Sequence, residues 1–231
     1  MKFSFQPFLI QGLCSPSWIL RLFMISTLVS SCAKNEESYQ DQSLASAQEA
    51  SCGFILNSKG YRVSWKQSLP IVFQFSKNFP NQYKERFKIA LNKWNQASSR
   101  NLFVLSDEIH SSTFAQADQK NVIYWVNEIG IFKSTEQAKT IARWVGTQLT
   151  DTDILINAHD WVFEESTATA NHLDNQLDLV SLQMHELGHS LGITHRSLFK
   201  SVMYPYLQAN TQRDVLLDHP DISDLDCEYR K

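Results

Sequence analysis

The chain has 231 residues and a formal net charge of −3, with 19% charged and 12% aromatic residues. This balance excludes a basic nucleic-acid binder, and a 43% hydrophobic content is enough for a packed core rather than a disordered chain. Seven glycines and four cysteines also exclude collagen-like and disulfide-dense scaffolds.

At the N-terminus, Lys2 and Arg21 flank a mixed stretch, and the short apolar run Leu22–Val29 ends in Ser30-Ser31-Cys32. It reads as a secretory leader, too short and too interrupted to span a bilayer. Val29-Ser30-Ser31-Cys32 resembles a bacterial lipobox, which implies that residues 1–31 are a lipoprotein-type signal and that Cys32 carries the lipid. Ordinary cleavage followed by free secretion is the other outcome. Residues 32–52 are rich in Ser, Gln, Glu and Ala without apolar periodicity, the composition of a flexible tether. Residues 53–231 then form one extracytoplasmic domain, lipid-anchored in the bacterial cell envelope or secreted. Cys14 leaves with the leader and Cys32 goes to lipid, so Cys52 and Cys227 remain as a disulfide pair in an oxidising compartment.

Within the domain, Pro70–Phe75 reads as a strand, apolar and β-branched after a proline. Asn81–Ala97 reads as a helix, because Tyr83, Phe87, Ala90, Leu91, Trp94 and Ala97 recur at three- and four-residue steps. Leu102–Leu105 and Val122–Val126 are further strands, followed by the elements Ile141–Leu149 and Asp153–Asn157. Leu173–Leu191 is the second long helix, and a closing helix covers Asp221–Tyr229.

The second helix carries His185-Glu186-Leu187-Gly188-His189, and after Gly192 a third histidine, His195. Residues four apart share a helix face, so His185 and His189 point at one ion, while Glu186 is turned from them and serves as a base for water. Gly192 takes positive φ and lets the chain swing back so that His195 arrives from outside the helix. Three imidazoles with an open position describe one catalytic Zn2+ rather than a closed structural site.

This pattern, HExxHxxGxxH, resembles the metzincin zinc endopeptidases, and Ser201-Val202-Met203-Tyr204-Pro205 resembles their Met-turn. The VMYP sequence and the step from His195 to Met203 are most similar to the matrixins, although Arg196 stands where matrixins usually have serine. The resemblance implies an α+β fold: a mixed twisted sheet with two long helices above a cleft, then a small lower subdomain with the Met-turn and the C-terminal helix. It implies peptide-bond hydrolysis, with zinc polarising the scissile carbonyl and Glu186 activating the water. Asp153–Asn157 is expected to be the edge strand above the cleft, with Ile154 and Leu155 at the substrate, and Tyr204, Pro205 and Tyr206 are expected to line the pocket after the cut. The family's prodomain cysteine also offers Cys52-Gly53 a second reading as a latency switch. A structural Ca2+ or second Zn2+ has no clear motif around His159, Asp160, His172 and Asp174, and His110 and His219 have no evident partner. The expected partners are a protein or peptide substrate and, through the lipid, a membrane; the chain is expected to be a monomer and not to bind nucleic acid. A zinc amidase of cell-wall peptides and a non-catalytic surface binding protein are the rival functions.

Overall fold

In a computed structural model the described residues are 26–31, 52–66, 68–163, 176–209, 211 and 220–229. Ile71–Ser76 (β2) leads into helix α1 (Asn81–Ser98), whose buried stripe is Tyr83, Arg86, Phe87, Ala90, Leu91 and Trp94. The helix ends in a left-handed residue, Ser99 at φ 53°, with Arg100 N–H donating to the Asn95 carbonyl at 3.1 Å and Ser99 N–H to the Gln96 carbonyl at 3.1 Å. Asn95 Oδ1 also accepts from Leu102 N–H at 2.9 Å and from Phe103 N–H at 3.0 Å, which starts β3 (Phe103–His110) directly off the helix.

The remaining strands are β4 (Asn121–Val126), β5 (Ala138–Val145) and β6 (Gln148–Asn157). Ser26–Ser31 forms β1, and the six-strand order is β1-β5-β6-β4-β2-β3. β2, β3, β4 and β6 run parallel, β5 is antiparallel to β6, and β1 is antiparallel to β5, so the sheet is mixed. The α+β architecture expected from the motif is therefore present, with two changes. The stretch Ile141–Leu149 crosses a hairpin turn rather than forming one element. Asp153–Asn157 is not an edge, because β6 lies between β4 and β5; Ile154 is 0% exposed and Leu155 6% exposed. Sheet order is set by long-range pairing, which the local pattern of a strand does not reveal. The segment read as the end of the leader lies along β5, while Cys14, Cys32 and most of the tether lie outside the described residues.

One face of the sheet packs under α1 and helix α2 (Leu179–Ser190) with Phe73, Phe75, Phe103, Ile123, Ile154 and Ile156. Leu155 belongs to the opposite face, with Val122, Tyr124 and Val126. Beside it Arg143 is paired with both Asp151 and Asp153, at 2.8 Å to the latter, and all three are buried. Burial pushes the Asp153 carboxyl up to about 7 despite Arg143. Asp153 also accepts N–H from Gln116 and Val122, and Asp151 accepts from Gln119, so the network pins the loop before β4 to the sheet.

The active-site helix begins at Leu179 rather than Leu173, with residues 173–175 outside the described ones. Gln176–Leu177 (β8) pairs with Val162–Phe163 (β7), and Asp178 caps the helix by accepting from Ser181 N–H at 2.6 Å. Trp94 Nε1 donates to the Met184 carbonyl at 2.9 Å and ties α1 to α2. At Gly188 the helix has no Cβ to separate it from the chain below. A Cβ there would overlap Met203 Sδ and come within 3.3 Å of Trp94 Cζ2.

Helix α3 (Pro220–Tyr229) closes the domain. Tyr229 Oη donates to the Leu191 carbonyl at 2.6 Å, Trp65 Nε1 donates to the Ser190 carbonyl at 2.7 Å, and Glu228 accepts from Arg62, Ser64 and Lys66. Cys52 and Cys227 are disulfide-bonded across a separation of 175 residues.

Two outcomes follow from this packing. Gly188→Ala gains roughly 1 kcal/mol of helix propensity, but overlap with the buried Met203 costs about 1–3 kcal/mol. The expected net result is a lower unfolding midpoint by calorimetry, and a raised midpoint would refute the close approach. Replacing Cys52 and Cys227 by serine should cost roughly 3–5 kcal/mol, read by denaturant unfolding against the oxidised parent.

Candidate metal centre

His185 and His189 leave one face of α2 and bring their Nε2 atoms to 3.0 Å of each other. Each ring is held from behind by a backbone carbonyl: His185 Nδ1 lies 2.7 Å from the Val202 oxygen, and His189 Nδ1 2.8 Å from that of Ile193. A carbonyl only accepts, so both Nδ1 atoms carry the hydrogen and both Nε2 atoms present a lone pair. Two lone pairs at that separation repel unless a cation lies between them. The donor set therefore fits a metal ion.

His195 completes the set, with ring centroids 5.2 Å from His185 and 4.7 Å from His189. Among the described residues these three are the group that could hold a metal, with candidate ligand atoms all within 4.8 Å of one another. Burial lowers the His195 pKa to about 4 and holds His189 well below the ordinary imidazole value, so the rings stay neutral, as ligands must.

The path of the chain to His195 is fixed by the end of α2. Ile193 N–H donates to the Gly188 carbonyl at 3.0 Å and Gly192 N–H to that of His189 at 2.9 Å, with Gly192 at φ 95°. A Cβ on Gly192 would lie 2.6 Å from the Val63 oxygen. The turn is then stitched to the start of the domain. Ile55 N–H donates to Gly192 O at 2.8 Å, and Thr194 donates to Gly53 O through its N–H at 2.6 Å and its hydroxyl at 2.9 Å. Arg196 lies over Gly53 and pairs with Asp224 of α3, Nε to Oδ2 at 2.8 Å, while its N–H donates to Met203 O at 2.9 Å. Arg196 thus anchors the residue after the third histidine to the last helix.

Met203 is fully buried beneath Gly188. Its turn is set by Asp221, which accepts from the Ser201 hydroxyl at 2.5 Å and from Val202 N–H at 3.0 Å. Because Val202 also supplies the carbonyl behind His185, the Met-turn orients a ligand directly. Glu186 is 0% exposed, and its Oε2 accepts from the Thr140 hydroxyl at 2.7 Å. Thr140 lies on β5, a strand packed against α2. Residue spacing gave no sign of Thr140, Asp221 or Asp224, since each acts from a distant element.

The other expected residues divide. Ile154 and Leu155 are buried within β6 and do not face a substrate. Tyr204, Pro205 and Tyr206 follow the Met-turn half-buried, with the Tyr204 ring edge-to-face against Phe199 at 5.3 Å. His159 contacts Asp160 at 2.7 Å and His110 contacts Asp118 at 3.0 Å, both outside the metal cluster. His172, Asp174 and His219 lie outside the described residues. Disulfide-bonded to Cys227, Cys52 is not a free thiol for a latency switch.

A family model described as Matrixin matches residues 64–230. Matrilysin from Rattus norvegicus is 40% identical over 58 residues, which is 25% of this chain and 22% of that protein. The match spans only about a fifth of that relative's length. The family match covers most of the chain and includes the helix, the three histidines and the Met-turn, and the chain belongs to the matrixin family of zinc metalloproteases.

Proposed function

We propose that this protein is a zinc endopeptidase acting on extended segments of extracytoplasmic proteins or peptides. The observation that carries this reading is the pairing of a buried carboxylate, Glu186, with a three-imidazole cluster beside a strand edge that accepts another strand. Ser26–Ser31, read as the end of the leader, runs antiparallel along β5 with Ser30 opposite Thr140, so removal of the leader would free that side of β5 for another extended chain. An extended polypeptide has the same backbone groups and pairs in the same way, so an internal stretch of substrate passes the metal centre. This favours a peptide over a compact ligand.

Bound zinc supplies Lewis acidity to the scissile carbonyl and acidity to water. Glu186 takes the proton of the attacking water and returns it to the leaving amine, with no covalent enzyme intermediate. His185, His189 and His195 hold the metal as neutral donors. Tyr204 and Tyr206, with Pro205 between them, bound the pocket for the residue after the cut.

The setting is extracytoplasmic. A disulfide between Cys52 and Cys227 suits an oxidising compartment. Cys32, in its lipobox-like setting, is the lipid anchor of a domain on a tether. The enzyme acts as a monomer.

Glu186→Gln should keep stoichiometric zinc by mass spectrometry and lose roughly 10²–10⁴-fold in turnover of a fluorogenic peptide library. Alanine at His185, His189 or His195 should lose metal and activity together. Full turnover by zinc-loaded Glu186→Gln would sink the assignment, and cleavage of peptidoglycan without cleavage of the library would replace it with an amidase.

A further inference from the structure

Thr140 is the third residue of β5 and is 1% exposed. Its hydroxyl lies 2.7 Å from Glu186 Oε2 and 3.1 Å from the Glu186 main-chain oxygen. A hydroxyl has one hydrogen to give. The carboxylate oxygen is nearer, and the main-chain oxygen already accepts from Ser190 Oγ at 3.1 Å, so the hydrogen goes to Oε2. Threonine is stiff at χ1, and its strand is held by β6, where Ile154 lies opposite Thr140. The donor is therefore mounted on a rigid element.

We propose that Thr140 is a positioning residue for Glu186, its hydroxyl engaging Oε2 so that the proton of the attacking water is taken on Oε1. This rests on the peptidase reading above. A buried carboxylate on a long side chain has several rotamers, and a misplaced base forfeits much of its effect. One hydrogen bond from the sheet removes that freedom. Thr140 also belongs, through its backbone, to the strand along which the substrate is laid. The strand that pairs with the peptide thus also orients the base, so that the base stands at a fixed place relative to the bound chain.

The test compares Thr140→Val, which keeps the shape and removes the hydroxyl, with Thr140→Ser, which keeps the hydroxyl. Both are made in the full chain and in Glu186→Gln. Thr140→Val should retain full zinc content and a KM within about twofold of the parent, with kcat lowered roughly tenfold; Thr140→Ser should recover kcat to within about threefold. In the Glu186→Gln background the Thr140→Val change should have no further effect on residual turnover, because its target is gone. An unchanged kcat in Thr140→Val, a failure of serine to restore it, or an equal loss in both backgrounds would overturn the proposal. An active Glu186→Gln enzyme would instead overturn the peptidase reading itself, so the two failures are distinguishable.

Discussion

Three neutral imidazoles must present their lone pairs to a single point, and two of them do so only because a carbonyl stands behind each ring. Those carbonyls, from Ile193 and Val202, come from the chain after α2. The lower part of the molecule can be understood as the apparatus that places them. Gly192 turns the chain, the segment 53–55 holds the turn, Asp221 shapes the Met-turn, and Arg196 joins both to α3 through Asp224. Without this apparatus the helix would still carry two histidines on one face, but their tautomers would not be fixed.

The upper part solves a different problem, which is to bring β5 beside Glu186. A parallel core of β2, β3, β4 and β6 is buried on the helix side by aromatic residues, and antiparallel β5 closes it on the cleft side. The opposite face carries Arg143 with Asp151 and Asp153, an ionic cluster that is satisfied by backbone N–H groups as well as by its own charges. Removing Arg143 would leave two buried carboxylates uncompensated, so this cluster holds β5 against β6 strictly rather than loosely.

The local parts of the site were legible in the sequence because they are periodic. His185, His189 and Gly192 follow from helix geometry, and Met203 from the resemblance of Ser201–Pro205 to the metzincin Met-turn. Helix α1 was readable from its stripe to within one residue at its end. The start of α2 was misplaced although its signal was present: Asp178 stands before the apolar run as a capping residue, and pattern matching carried the helix past it. The edge strand was misassigned for a deeper reason. Ile154 and Leu155 are apolar in either an edge or a central strand, and which neighbours flank them depends on pairings with residues more than ten positions away. Thr140, Asp221 and Asp224 were invisible for the same reason, since a threonine or aspartate shows its partner only once the chain is folded. Arg196, an apparent departure from the family pattern, is accounted for by its ion pair with Asp224.

The order of synthesis gives the disulfide and α3 a further meaning. A nascent chain that ends before Asp221 contains His185, Glu186, His189 and His195, yet lacks the carboxylate that forms the Met-turn, the partner of Arg196 and the sulfur that ties Cys52. The geometry around the three histidines therefore depends on contacts made by α3, and it is complete only when that helix has packed against the Met-turn and Arg196.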